Sequence, residues 1–202
     1  INSLFIMTIL LIALAVSLGV NQVVKNTLFN TYEENLLNLS QSNYQYLDTL
    51  FEGDWSNNAG ALYKGTENVE TMNDELDHIL STMGVVSTIF LNDTRGATTV
   101  NIDVDRTRGT TASEKKKKKV LNGDTYIGTA DVVGVPHLTV YSPLKDATGT
   151  IIGMWFVGQS IESINSAIAD VRTIILIIIA TVGLIAIALN MVVIRKIVEP
   201  II

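Results

Sequence analysis

Two uninterrupted apolar stretches, Leu4 to Val20 and Ile174 to Ile194, stand at opposite ends of this 202-residue chain and leave a polar segment between them. That layout restricts the fold more than any single motif does. The second stretch carries Asn190 as its only strongly polar side chain, and roughly 20 residues at about 1.5 Å each match a hydrocarbon core about 30 Å thick. The first, which ends before Asn21 and Gln22, lies at the lower end of the spanning range. Thr8 and Ser17 are compatible with a span, since helical hydroxyls bond back to their own backbone. Arg195 and Lys196 follow the second stretch directly, and cations flanking a span mark the cytoplasmic side. The expectation is a membrane helix over 1–24, an extracytoplasmic domain over 25–172, a second membrane helix over 173–194 and a cytoplasmic segment over 195–202. Both termini are then cytoplasmic, in a two-pass protein of the plasma (inner) membrane. No small-x-small cleavage site follows Val20, so the first stretch reads as an uncleaved anchor.

Charge and composition narrow the partners of the middle segment. It holds 12 of the 14 basic residues (all but Arg195 and Lys196) and 19 of the 20 acidic ones (all but Glu199), a net charge of −7. An acidic surface argues against nucleic acid and anionic lipid. The chain has no Cys, which removes disulfides and thiolate metal sites.

The middle segment opens with a helix continuing the first stretch. Phe29, Tyr32, Leu36, Leu39, Asn43, Tyr46 and Leu50 follow the three-four spacing of a heptad seam, and Leu37, Tyr44, Leu47 and Phe51 form a second stripe. A parallel homodimer through the seam, with Asn43 fixing register, is the expectation, and one wide face buried within a monomer is the alternative. A turn is expected over Gly53 to Gly60 and a second helix over Val69 to Met83. Strands are expected over Val85 to Leu91, Ala97 to Ile102, Thr125 to Val133, His137 to Leu144 and Thr150 to Gly158, with turns at Asn92-Asp93 and Gly96, at Gly134-Val135-Pro136 and at Asp146 to Gly149. A last helix from Ile161 runs into the second stretch without a breaker.

Several segments carry a family likeness. Gly109-Thr110, Asn122 to Ala130, Gly134, Tyr141 to Asp146, Gly149 and Ile152 to Gly158 resemble a single Cache domain, the PAS-like extracytoplasmic sensor of prokaryotic receptors. The likeness covers roughly Val85 to Ile161. It implies an α+β fold, a five-stranded antiparallel sheet with a long N-terminal helix, flanked here by two transmembrane helices. The tail Ile194 to Ile201 is similar to the entry of a HAMP linker. Together these look most like the front half of a methyl-accepting chemotaxis receptor, a front half that sensor histidine kinases and cyclic-dinucleotide enzymes share. The output module that separates them is expected beyond this sequence.

Hairpin register locates a candidate ligand face. With Gly134-Val135 as the turn, Gly128 lies opposite Tyr141, Ala130 opposite Thr139 and Val132 opposite His137. A four-residue turn over Asp146 to Gly149 adds Met154, Phe156 and Gly158 to that face and sends Leu138, Val140, Trp155 and Val157 to the other. The first face mixes small residues with His, Thr and Tyr, a composition suited to a hollow with a few polar groups. The second reads as core.

Phe90, Arg106, Tyr126, His137, Thr139 and Tyr141 are the candidate ligand contacts. Arg106 is the leading anion binder, because guanidinium grips a carboxylate with two parallel hydrogen bonds, and with it the ligand class leans to a small organic anion. His137 beside Thr139 and Tyr141 suits a carboxylate or a pH response, or else a backbone bond at the strand edge. His78, among Asp74, Glu75 and Asp77, reads as a solvated helix residue. Asp93, Asp103 and Asp105 lack the Gly and distal Glu of a calcium loop, and two distant His make no metal site. Lys115 to Lys119, after Ser113-Glu114, read as a solvated helix face. No nucleophile elbow, Gly-rich phosphate loop or catalytic constellation is present, so neither enzyme activity nor a cofactor is expected. Ala13 with Ser17, and Ala180 with Gly183 and Ala186, are small residues suited to close packing of neighbouring spans. A ligand-sensing receptor and a membrane-tethered module that binds a partner protein remain the two readings. A buried pocket on the Tyr141 face favours the first, and a filled face with an exposed apolar patch the second.

Overall fold

The computed structural model describes residues 2–102, 105–193, 195 and 196. It divides into two units, one formed by the chain up to Asn30 and from Asn165 onward, the other by Thr31–Ile164.

The first unit contains the outer parts of two helices, α1 (Asn2–Leu50) and α4 (Ile161–Val193). Within it Met7, Leu11, Ile12, Leu14, Leu18, Ile177, Ile178 and Leu184 are exposed. Both helices are long and apolar enough to cross a membrane, with mean hydropathies of 1.3 and 2.8. Ile12, Ala13 and Val16 line a groove together with Ile178, Val182, Gly183 and Ala186. A Cβ added at Gly183 would meet open space. Of the HAMP-like tail, only Arg195 and Lys196 are described. Ile194 and residues 197–201 lie outside the described residues, as does Asp103.

The second unit is the expected α+β domain. Its principal sheet has five antiparallel strands in the order β5-β4-β10-β9-β8, formed by β4 (Val86–Leu91), β5 (Thr94–Thr98), β8 (Tyr126–Val132), β9 (Val135–Lys145) and β10 (Ile151–Ser160). Helix α2 (Asn73–Met83) ends at Gly84, which takes the left-handed conformation and donates its N–H to the Leu80 carbonyl. A three-residue 3-10 turn over Val69–Thr71 precedes it.

Four readings need correction. The expected turn over Gly53 to Gly60 instead begins a small three-stranded sheet, β1 (Trp55–Asn58), β2 (Ala61–Lys64) and β3 (Glu67–Asn68). The turn residues Asn57, Ala59 and Gly60 are there, with Ala59 and Gly60 at positive φ, but they join two strands that are too short and too polar to show period-two patterning. Strand β5 starts at Thr94, so Gly96 lies inside it. Asn92, at φ +52°, and Asp93 complete a two-residue hairpin unaided, and Leu91 pairs with Thr94. The next hairpin turns at Val133-Gly134, not Gly134-Val135, with φ of +55° and +77° and Val132 paired with Val135. Asp131 accepts the Gly134 N–H at 2.8 Å. Tyr126 therefore faces Tyr141, Gly128 faces Thr139 and Ala130 faces His137. The shift is two residues, so the face assignment survives while each pair changes.

The fourth correction concerns the seam on α1. Leu36, Ser40, Asn43 and Leu47 are buried within the domain, while Leu50 is exposed. The buried stripe combines residues from both sequence stripes, and Leu36 and Asn43 are closed to any partner chain. The amide atoms of Asn43 have no hydrogen-bond partner among the described residues. Trp155, on the back face of the sheet, donates its indole N–H to the Ser40 carbonyl at 3.0 Å. Ile89, Leu138, Val140, Leu144 and Val157 share that face and are fully buried. Gly153 sits at a bulge between β9 and β10, where a Cβ would come within 2.0 Å of the Phe90 carbonyl oxygen.

Candidate functional site

The front face of the sheet is the other side of these strands. Strand alternation sends Phe90, Tyr126, Tyr141, Met154 and Phe156 to it. Val120 of α3 (Glu114–Leu121) and Val100 and Ala112 of the preceding loop pack against them in one buried cluster. Tyr141 is central, with its ring 4.7 Å from Phe156, 6.0 Å from Tyr126 and 6.2 Å from Phe90. Burial pushes its hydroxyl pKa up to about 12, with Tyr126 adding to the rise and Arg95 opposing it.

Cations rim this cluster. Arg95 pairs with Phe90 across β4 and β5 and holds its guanidinium 5.6 Å from the Phe90 ring centre. Lys116 lies 5.5 Å over Tyr141, and Lys119 lies 6.0 Å over Tyr126. Burial lowers the pKa of Arg95. Burial and then the Arg95 charge lower that of Lys116, with Asp131 acting the other way. Neither Arg95 nor Lys116 forms an ion pair among the described residues. Lys117 is differently placed. It bonds Asp93 at 2.8 Å, which lowers the Asp93 pKa and raises its own.

Of the residues singled out in the sequence, the structure brings Phe90, Tyr126 and Tyr141 into contact. Thr139 shares their face, fully buried, and spends its hydroxyl on the Gly128 carbonyl at 2.7 Å. His137, two positions further along β9, is 8% exposed and bonds the Val135 carbonyl at 2.9 Å through Nδ1. Arg106 points elsewhere. Within the two-residue strand β7 (Asp105–Arg106), paired with β6 (Asn101–Ile102), it holds Asp77 of α2 with two bonds, at 3.1 and 2.5 Å, and donates to the Thr98 carbonyl. His78 is exposed and stacks on Tyr46 at 5.9 Å.

Arg95 and Lys116 are functional-site residues that sequence patterning does not single out. Taking 92–96 as a turn concealed Arg95, although Asn92-Asp93 is itself a tight-hairpin signal that would have placed Arg95 opposite Phe90. Lys116 lies four residues before the buried Val120 and so on the inward face of α3, a placement hidden by reading the lysine run as uniformly solvated.

The front-face residues fall within a stretch, residues 58–171, that matches the model of a family described as single Cache domain 3. A comparison with curated proteins returns no match. Among solved structures, the chain is similar to the sensor domain of DcuS from E. coli, with 17% identity, a TM-score of 0.41, and coverage of 49% of this chain and 73% of that one. It is also similar to the sensor domain of the histidine kinase DctB from V. cholerae (14%, 0.42, 48% and 40%). A further similar structure is the ligand-binding domain of the chemoreceptor Tlp3 from Campylobacter jejuni, in complex with L-norvaline (11%, 0.46, 74% and 59%).

Proposed function

This chain belongs to the single Cache domain 3 family, and from that premise we propose that it is the sensor region of a two-span chemoreceptor. Its Cache domain is a ligand-binding, non-catalytic module that stands outside the cell and binds a small molecule on the front face of the sheet. Both termini are cytoplasmic, and Arg195 and Lys196 open a HAMP linker to an output module. The observation that carries the binding reading is the Tyr141 cluster, where aromatic faces and two cations without ion pairs converge under α3. Phe90, Tyr126 and Tyr141, with Thr139 and His137 further along the same face, are the proposed contacts. Arg106 belongs with Asp77 as a structural pair.

Signalling rests on differential binding, because a ligand shifts a two-state equilibrium only by its preference for one state. Strand β10 ends at Ser160 and α4 begins at Ile161, so no linker intervenes between sheet and helix. A parallel homodimer is part of this proposal, but Leu36 and Asn43 of the heptad seam are buried within the domain and are not its contacts.

The test is a thermal-shift screen of the full chain in detergent micelles against small carboxylates, amino acids, amines and nucleobases. A true ligand at 100 times its Kd stabilises by about 2.7 kcal/mol. A second reading draws support from the filled front face and from Ile127, Val133 and Val135, which are 37–42% exposed around the β8–β9 hairpin. Silence from every ligand class in a folded chain would favour a protein partner at that end.

A further inference from the structure

The back of the sheet holds a cavity of its own, between α1 and strands β9 and β10, with a volume of about 240 Å³. Ser40, Gln41, Tyr44 and Gln45 of α1 line one wall. Ser142, Pro143 and Trp155 of the two strands line the other, and both walls belong to the Thr31–Ile164 unit. Trp155 pairs with Ser142, one residue out of step with the Phe156–Tyr141 pair, so the cavity opens on the face opposite the Tyr141 cluster.

The polar groups on these walls are uncommitted. Ser40 is 2% exposed, and its hydroxyl forms no hydrogen bond among the described residues, although its carbonyl receives the Trp155 indole N–H. The side-chain amides of Gln41 and Gln45 and the Ser142 hydroxyl likewise make none. A nearly buried hydroxyl without a partner carries a desolvation penalty that an arriving polar group removes. Gln41 and Gln45 stand one helical turn apart on the same side of α1, and each amide offers both a donor and an acceptor.

Charge decides which class of molecule these groups suit. No Asp, Glu, Lys, Arg or His lines the cavity. Asp48, whose charge reaches Tyr44, is held by Lys64 at 2.5 Å. Burial raises the Tyr44 pKa and Asp48 adds to the rise, so the phenol keeps its proton. An ion brought here would shed its hydration with no opposite charge to replace it. Amides and hydroxyls match a neutral polyol instead, because each of its hydroxyls both donates and accepts. The rings of Tyr44, Pro143 and Trp155 supply apolar surface for the C–H face of such a molecule. Clefts for drug-sized ligands begin at about 300 Å³, so this smaller one suits a single ring and not a chain of them.

We propose that the cavity between α1 and the β9–β10 strands is a second ligand site, which takes a neutral monosaccharide or cyclic polyol. It goes beyond the front-face sensor reading and does not depend on it. A molecule held by both walls ties α1 to the sheet.

The experiment is a tryptophan-fluorescence titration of the full chain, in micelles of a detergent without a sugar headgroup. The probes are D-glucose, D-galactose, myo-inositol, sucrose, propionate and L-alanine, each alone. The chain has two tryptophans, Trp55 and Trp155, and Trp155 lines the cavity. The expected result is a saturable change with at least one of the first three probes. Sucrose, too large for the cavity, should give none and so controls for the general effect of excluded solutes. Gln41→Leu and Gln45→Leu, both exposed on α1, should each weaken the saturable binding about tenfold with the circular dichroism spectrum unchanged. Lys118→Gln, on α3, should leave it as it is. Saturation by none of the three single-ring probes would overturn the site, as would sugar binding insensitive to both glutamine variants. Propionate or L-alanine binding as well as the sugars, and lost in the same variants, would overturn the neutral class. A propionate or L-alanine response that persists in Gln45→Leu while no sugar saturates would sink this site and leave the front-face reading standing.

Discussion

Replacing Arg106 with Met separates a structural arginine from a ligand-binding one. The side chain makes two contacts with Asp77 and one with the Thr98 carbonyl. Arg106 is 25% and Asp77 47% exposed, so the ion pair counts as a screened surface pair worth about 0.5–1 kcal/mol. The carbonyl bond, in a part-buried setting, adds about 1 kcal/mol. A total loss of roughly 1.5–2 kcal/mol corresponds to a fall in Tm of roughly 3–8 °C in a chain of this size. The measurement is thermal unfolding of the full chain in detergent micelles, followed by circular dichroism at low salt and at about 1 M salt. High salt shortens the screening length to about 3 Å, so the ion-pair share should shrink and the carbonyl share persist. Asp77→Asn should lose only the first share. An Arg106→Met protein that melts with the wild type but no longer binds carboxylate would refute the assignment and restore Arg106 to the ligand.

Three further outcomes concern the β8–β9 hairpin, the back face of the sheet and Tyr141. Val133 is a β-branched residue held at φ +55° in a two-residue hairpin, so Val133→Asn, which creates Asn-Gly, should stabilise by about 1 kcal/mol; an unchanged or lowered melting temperature would contradict the turn described. Trp155→Phe removes the bond to the Ser40 carbonyl and leaves a void, and should cost about 2 kcal/mol in chemical denaturation, against which a loss under about 0.5 kcal/mol would count. Burial pushes the Tyr141 hydroxyl pKa up to about 12 in the folded chain, above the ordinary phenol value of 10.0 that it regains on unfolding. The unfolded chain therefore gives up this proton first, and the stability linked to it is whole below pH 10 and lost as pH rises toward 12. Phenolate absorbance should show a late component that vanishes in Tyr141→Phe.

The sheet was legible because its strands alternate cleanly and are bounded by turn residues at Asn92-Asp93, around Gly134 and over Asp146 to Gly149, and the front and back faces followed from that alternation. What hid from the sequence has physical causes. A two-residue slip in the β8–β9 turn preserves faces and changes partners, so His137 and Thr139 each met a different residue from the one expected. The small sheet around Trp55 has strands of four residues or fewer, below the length at which a pattern is visible. Its anchor is Lys64, 4% exposed, which reaches Asp48 at 2.5 Å and the Gly53 carbonyl. Nothing in a lone lysine between Tyr63 and Gly65 signals burial. On α1 two apolar stripes compete, and the side that is buried carries Ser40, whose carbonyl meets the indole of Trp155, more than a hundred residues away in sequence.

The five consecutive lysines of α3 also carry a chemical consequence. They are identical in sequence, yet the helix distributes them among different surroundings. Lys116 lies half-buried over Tyr141 with its pKa lowered, Lys117 keeps its proton against Asp93, and Lys115 and Lys118 face solvent. An amine-reactive acylating reagent, which attacks only the unprotonated form, should therefore modify Lys116 well ahead of Lys117 at mildly alkaline pH. Occupancy of the front face would suppress the faster label, so this run of like residues can report on the site from within.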